Sequence, residues 1–425
     1  MYKMAFIFPG QGSQYVGMGQ AWHSAYPIAR ELFEIASDAL GFDLKKICFE
    51  GSPQVLRKTE IAQPAILTVS MIAYRILLQE VELEPPVLAG HSLGEISALC
   101  AAGAISFTDA VKLVHARGKY MQEAVAEGQG LMYAVVGISS EQVEEICREI
   151  SLSKGTVVPS NYNASNQTVI SGVKGAVEEA VISMKHAGAQ VIPLKVSAPF
   201  HSPLMEPAVA PFRAFLNGLT LQPLRHTVVS NVTGDFYSSE QDIIPLLSDQ
   251  LIKPVLWTAC MNRMAALPVH TFIDTGPRET LGPLLKEAFP EAKVYAIDSV
   301  HSAMQDCLDN LRSDRERSRL RGRWNLLNKC LSIAVCTQNH NSNADEYQKN
   351  VIEPYKMIQR MKEELTVSGK ELTLEQTENV LHLLETILKG KKLPVDELNL
   401  RLEQAINETG MPGLFQGPAN ALTDW

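Results

Sequence analysis

The stretch Val87-Leu88-Ala89-Gly90-His91-Ser92-Leu93-Gly94-Glu95 constrains this chain most: a short apolar strand passes through Gly-x-Ser-x-Gly into a small-residue helix predicted over 96–102. A serine between two glycines at a strand-to-helix junction is the pattern of a nucleophile elbow. The sharp turn holds the hydroxyl out at the helix N-terminus and brings neighbouring backbone too close for a Cβ on either side. Five residues with three fixed positions recur by chance in chains of this length, so the rest of the sequence carries the argument.

An apolar strand over 4–8 runs into Pro9-Gly10-Gln11-Gly12-Ser13-Gln14, a turn able to aim backbone N–H groups at a phosphate or a developing oxyanion. Gly10, Gly12 and Gly17 are spaced wrongly for a dinucleotide-binding fingerprint. Helices are expected over 29–40 and 65–78, the second apolar on nearly every face and therefore buried. Ser106 caps a further helix with Val111, Val114 and Met121 on its apolar side, and this helix carries Arg117. From Gly128 the pattern becomes strand 131–136, helix 139–150, strands at 157–158 and 168–171, helix 176–187 and strand 190–196. That β-α-β-β-α-β order is ferredoxin-like. Further strands follow at 227–230 and 269–273, separated by helices.

The expected fold is α/β: an α/β-hydrolase-like parallel-sheet core over 1–127 and 197–311, with an inserted ferredoxin-like subdomain over 128–196. Arg312 to Arg323 holds six arginines among two acids, and the residues after it show no period, so 312–344 is expected to be a linker. A C-terminal helical extension is expected over 345–425. Thr373-x-x-Gln376 forms a capping box there, and Leu398, Leu402 and Ile406 repeat at helical spacing.

A net charge of −9, mixed along the chain, argues against a nucleic-acid-binding surface. Seven scattered cysteines with no C-x-x-C pair argue against a disulfide framework or a zinc site, and no metal site is expected. No apolar run reads as a bilayer span or a signal peptide, so no membrane partner and a cytoplasmic location are expected.

Ser92 needs a base to take its proton. His201 is the best candidate of ten histidines, held in the loop Ala198-Pro199-Phe200-His201-Ser202-Pro203. His91 and His115 read as structural. Asp109, Asp235 and Asp274 could each complete a triad, and spacing does not choose among them. Arg117 suits either a surface ion pair or bidentate binding of a substrate carboxylate.

Taken together, the motifs resemble the malonyl-CoA:acyl carrier protein transacylases and the acyltransferase domains of polyketide synthases. The matching stretches are 8–14, 90–95, Arg117-Gly118, 161–163, 199–202, 231–234, and Gln250 before 254–258, in the family's order and covering residues 1 to about 300. The resemblance implies that Ser92, deprotonated by His201, takes a malonyl group from malonyl-CoA and passes it to the phosphopantetheine thiol of an acyl carrier protein. It further implies an oxyanion hole from the N–H groups of Gln11 and Leu93. A backbone carbonyl at Gln250 would orient His201 in place of an aspartate, Arg117 would bind the malonyl carboxylate, and Phe200 would line the substrate pocket. No bound cofactor is implied, coenzyme A thioester being the substrate. The helical extension is similar to those of discrete acyltransferases serving polyketide assembly lines in trans. The rival readings are an acyl hydrolase that clears stalled carrier proteins and an inactive assembly-line scaffold.

Overall fold

The computed structural model describes residues 4–81, 87–126, 128–196, 198–297 and 301–408, and the chain divides into two compact units, Lys3–Asp309 and Asn310–Trp425. Among the described residues the first unit contains strands β1 (Met4–Phe8), β2 (Val87–Gly90), β3 (Gly130–Val136), β4 (Val157–Ala164), β5 (Gln167–Val173), β6 (Gln190–Pro193), β7 (Thr227–Val229), β8 (Thr271–Asp274) and β9 (Lys293–Ala296).

Five of these form a parallel sheet in the order β7-β2-β1-β8-β9. β1 and β2 are buried along their whole length, as expected of parallel strands covered on both faces. Their register pairs Phe8 with Gly90, so the Gly-rich turn after β1 and the elbow after β2 leave the sheet side by side. β9 was not expected from the sequence; its four residues alternate too briefly to register as a strand.

The other four strands form an antiparallel sheet in the order β4-β5-β3-β6, with helices Ser140–Lys154 and Lys174–His186 packed through Val143, Cys147, Val177 and Ala180. This is the ferredoxin-like arrangement. β4 is longer than the strand expected at 157–158 because it runs on through Ser160-Asn161-Tyr162-Asn163, a mostly polar stretch of low strand propensity. That stretch bonds to the core: Val255 donates N–H to the Ser160 carbonyl and Tyr162 donates to the Val255 carbonyl, both at 2.9 Å.

Helix Thr59–Glu80 starts six residues before the expected Ala65 and carries Pro64 inside it. A proline there has no N–H to give the carbonyl four residues back, that of Glu60. The ring of His115 fills the vacancy, its Nδ1 lying 2.8 Å from the Glu60 oxygen, so this histidine has a structural partner. This helix is also the one described helix long and apolar enough to cross a membrane, but it is packed inside the unit, with 89% of its most apolar window buried.

In the second unit, the expected linker 312–344 is mostly helix. Helix His301–Cys336 contributes residues to both units, and only 337–343 are non-helical. Arginine is a good helix former, and Leu326, Leu327, Cys330, Ile333 and Ala334 fall on one face, where they are buried; the charge run masked that period. The side chains of Arg315, Arg319 and Arg321 lie outside the described residues, as does the extension beyond Glu408. Helices Glu353–Ser368, Leu374–Gly390 and Val395–Glu408 complete a core built on Ile358, Leu384, Ile387 and Leu402. The predicted Thr373/Gln376 capping box is formed.

Candidate active site

The elbow requires its glycines for steric reasons. A Cβ on Gly90 would lie 1.9 Å from the Gly94 carbonyl group, and one on Gly94 would lie 1.9 Å from the Phe8 oxygen. Between them Ser92 is held at φ 54°, ψ −106°, a conformation that persists only where the surroundings enforce it. Asn231, in the loop after β7, does so from both sides: its Oδ1 accepts the Ser92 N–H and its Nδ2 donates to the Gly90 carbonyl, each at 2.7 Å.

His201 also has a positive φ, 55°, in a loop tied by the bond from Ser202 Oγ to the Pro199 carbonyl at 2.6 Å. Its Nδ1 lies 2.7 Å from the Gln250 carbonyl and its Nε2 2.7 Å from Ser92 Oγ. A carbonyl only accepts, so Nδ1 carries the proton and Nε2 presents its lone pair to the serine hydroxyl. Burial, reinforced by the charge of Arg117, lowers the imidazole pKa to about 3 and keeps it neutral. None of the candidate aspartates reaches it. Asp109 sits in the first turn of its helix against Ser106, Asp235 pairs with Arg263 at 2.6 Å, and Asp274 accepts N–H groups from Gly276, Thr280, Leu281 and Gly282.

Arg117 is 1% exposed, not a surface residue. Its Nη1 donates to Gln63 Oε1 at 2.9 Å, and its Nη2 to Gln250 Oε1 at 2.7 Å and Ser92 Oγ at 3.2 Å. Burial lowers its pKa to about 10, which leaves it charged at neutral pH. Its Nε has no partner among the described residues.

The backbone of Gln11 follows Gly10, where a Cβ would lie 2.8 Å from the His91 carbonyl oxygen; the Gly-rich turn thus lies against the elbow. Leu93 is the first residue of helix Leu93–Ala101, whose next two N–H groups bond to His91 and Ser92. Neither the Gln11 nor the Leu93 N–H has a partner among the described residues. Phe200 is buried beside His201. His91 turns away from the serine, its Nε2 2.9 Å from Asn163 Oδ1. No cluster of three metal-ligating side chains occurs among the described residues.

Sequence reasoning missed Glu95, Asn231 and Gln63 as parts of this site, together with the side chain of Gln250. The available signal was Glu95, one turn after Ser92 and the lone charge in a helix otherwise made of small and apolar residues.

Comparison with known proteins identifies the family. The acyl transferase domain family matches residues 5–319. A malonyl CoA-acyl carrier protein transacylase of Bacillus subtilis is 37% identical over 397 residues, 93% of this chain and 98% of its own length, a span that reaches well into the second unit. The Escherichia coli K12 protein of the same name is 42% identical over 311 residues, 73% of this chain and all of its own. Among solved structures, the Clostridium perfringens transacylase superposes with a TM-score of 0.71 at 40% identity, covering 75% of this chain and 99% of that one. A malonyl transacylase in complex with a type II polyketide synthase acyl carrier protein gives 0.70 at 38% identity, covering 72% of this chain and 99% of that one.

Proposed function

This chain belongs to the acyl transferase domain family, among its malonyl-CoA:acyl carrier protein transacylases, and we propose on that premise that it moves malonyl groups from coenzyme A to an acyl carrier protein. The observation that carries the reading is the convergence on Ser92 Oγ of a neutral imidazole nitrogen at 2.7 Å and a buried guanidinium at 3.2 Å. A nucleophile, its base and a fixed positive charge then stand within reach of one acyl group.

In the first half-reaction His201 Nε2 takes the Ser92 proton as Oγ attacks the thioester carbonyl. The oxyanion that forms is met by the N–H groups of Leu93 and Gln11. As the carbonyl reforms, the C–S bond breaks and His201 returns its proton to the departing thiolate, leaving free coenzyme A and a malonyl-Ser92 ester. In the second half the phosphopantetheine thiol of the carrier protein gives its proton to His201 and attacks the ester; as the acyl C–O bond breaks, His201 returns that proton to Ser92 Oγ and the serine is regenerated. The Gln250 carbonyl holds the imidazole tautomer throughout. A thioester is activated enough for this dyad to need no buried acid. Arg117 takes the malonyl carboxylate in its fork, and Phe200 bounds the pocket beside it. All the chemistry is assigned to side chains and backbone, with no resident cofactor. We place the reaction in the cytoplasm. We assign the transfer to a polyketide assembly line, on the likeness to the solved malonyl transacylase in complex with a type II polyketide synthase acyl carrier protein.

Intact-mass spectrometry of the protein after incubation with malonyl-CoA or acetyl-CoA, followed by addition of holo carrier protein, tests this reading. Wild type should gain one malonyl group and surrender it to the carrier, whereas Ser92→Ala should gain none. Arg117→Ala should lose malonyl loading about 100-fold while acetyl loading falls less than about fivefold. A hydrolase would release free malonate with no transfer, and a scaffold would show no adduct.

A further inference from the structure

We propose that Glu95 is a positioning residue for this reaction: its carboxylate orients the Gln250 side chain, so that Gln250 turns its carboxamide oxygen to Arg117 and its backbone carbonyl to His201. The inference rests on the roles assigned above to His201 and Arg117.

Glu95 is fully buried behind the elbow and touches neither Ser92 Oγ nor the acyl site. Its Oε2 accepts Gln250 Nε2 at 2.6 Å and the Asn231 N–H at 3.1 Å, and its Oε1 accepts the Tyr237 hydroxyl at 2.5 Å. On the far side, Gln250 Oε1 accepts Arg117 Nη2 at 2.7 Å. A carboxamide can be turned end for end with little change of shape. An ionised carboxylate only accepts, however, and a guanidinium only donates, so with both present one orientation satisfies the pair and the reverse satisfies neither. The same amide donates to the Ser92 carbonyl at 3.0 Å, and the same residue's backbone oxygen holds His201 Nδ1. Fixing the Gln250 side chain therefore fixes the nucleophile's backbone, the base and the carboxylate-binding fork together, and it places opposite charges at the two ends of one amide.

The arrangement depends on Glu95 being ionised. Every polar group that bonds to its carboxylate donates: Tyr237, Gln250, the Asn231 N–H and Ser230. The Arg117 guanidinium and the Cys260 thiol also feel its charge, and the other titratable side chain on its own helix is Cys100. Burial raises its pKa to about 7, against the opposing pull of these donors. A protonated Glu95 either sets its own O–H against Gln250 Nε2 and the Asn231 N–H, which only donate, or turns it to the Tyr237 or Ser230 hydroxyl, which must then stop donating; either change weakens its hold on the amide.

The test is the pH dependence of kcat/KM for malonyl loading in wild type, Glu95→Gln and Tyr237→Phe, with thermal melts to establish that each is folded. Wild type should lose activity with a single acidic limb near pH 7, far above the point at which His201 would protonate. Glu95→Gln, a permanent mimic of the acid form, should lack that limb and run about tenfold slower than wild type near pH 8. Tyr237→Phe removes a donor to the carboxylate and should move the limb to higher pH. The phosphates of coenzyme A titrate identically with every variant, so they cancel in the ratio to wild type. A folded Glu95→Gln that keeps the wild-type limb, or that matches wild type near pH 8, overturns the inference. A wild-type enzyme that accepts no malonyl group overturns the function itself, which is a separate result.

Discussion

The elbow region of the first unit and the core of the second both bury polar groups, but for different ends. In the helical unit Lys391 is 4% exposed, and its ammonium donates to the Ala334 and Thr337 carbonyls, the first at 2.7 Å, at the C-terminus of helix His301–Cys336. Asn341 Nδ2 likewise donates to the Gly390 carbonyl at 2.8 Å, at the end of helix Leu374–Gly390. These groups close helix ends that would otherwise leave carbonyls unpaired. Around Ser92 the partners are mainly other polar side chains: a carboxylate, a guanidinium, an imidazole and three carboxamides. Removing one there leaves the others buried and unpaired. Backbone strain is divided in the same way, since Ser92 and His201 hold positive φ at the candidate site, whereas in the helical unit Lys392 does so just after a helix. Polar burial that ends helices is replaceable piece by piece; polar burial that builds a site is not.

The sharpest way to break this comparison is at the elbow's glycines. Gly94→Ala places a Cβ 1.9 Å from the Phe8 carbonyl oxygen, rigid backbone at the centre of the sheet. The expected cost is more than about 4 kcal/mol in urea unfolding, or failure to accumulate folded protein. A stable, active Gly94→Ala would mean that the strand-to-helix turn can relax and that the strain at Ser92 is not enforced.

The pH dependence of stability is next in size. The folded-state pKa of His201, about 3, lies below the 6.5 of an unperturbed histidine, so below pH 6.5 the unfolded chain takes up a proton that the folded chain refuses. Stability present above pH 6.5 is therefore lost as the pH falls toward 3. Near pH 4 this amounts to about 3 kcal/mol relative to a His201→Gln variant, in which that slope should vanish. Comparing the two proteins cancels the contributions of Glu95 and Asp274, which carry the opposite sign because burial raises their pKa values. Parallel stability curves for the two would show that His201 is solvated and does not share the buried network.

The same contrast explains what the sequence could and could not show. Parallel strands, the ferredoxin-like order and the Thr373 capping box are local and periodic, and each is visible in a window of a few residues. The segment 312–336 was misread because six arginines outweighed the spacing of Leu326, Cys330 and Ile333. At the site, Ser92, Gln11, Arg117 and His201 stood out through short motifs. Glu95, Gln63 and Asn231 act through partners 54 to 155 residues away, which no periodicity connects. Asp109, Asp235 and Asp274 looked equivalent as triad members because one dimension does not say which acid already has a partner.

The smallest expected effect lies in the helical unit. Thr373 accepts the Gln376 N–H through Oγ1 at 3.2 Å, while the Gln376 side chain accepts the Thr373 N–H at 2.9 Å, so each pairs an N–H that the first turn cannot satisfy. Thr373→Ala removes one of these bonds at an exposed helix end where water can replace it. The expected loss is about 1 kcal/mol in the unfolding of the helical unit, with malonyl loading unchanged. Reverting to serine should restore nearly all of it, since a serine hydroxyl caps as well as that of threonine. A loss several times larger, or one accompanied by slower loading, would mean that this helix end does more than close its own backbone, and the distinction between polar burial that ends helices and polar burial that builds a site would fail at its simplest case.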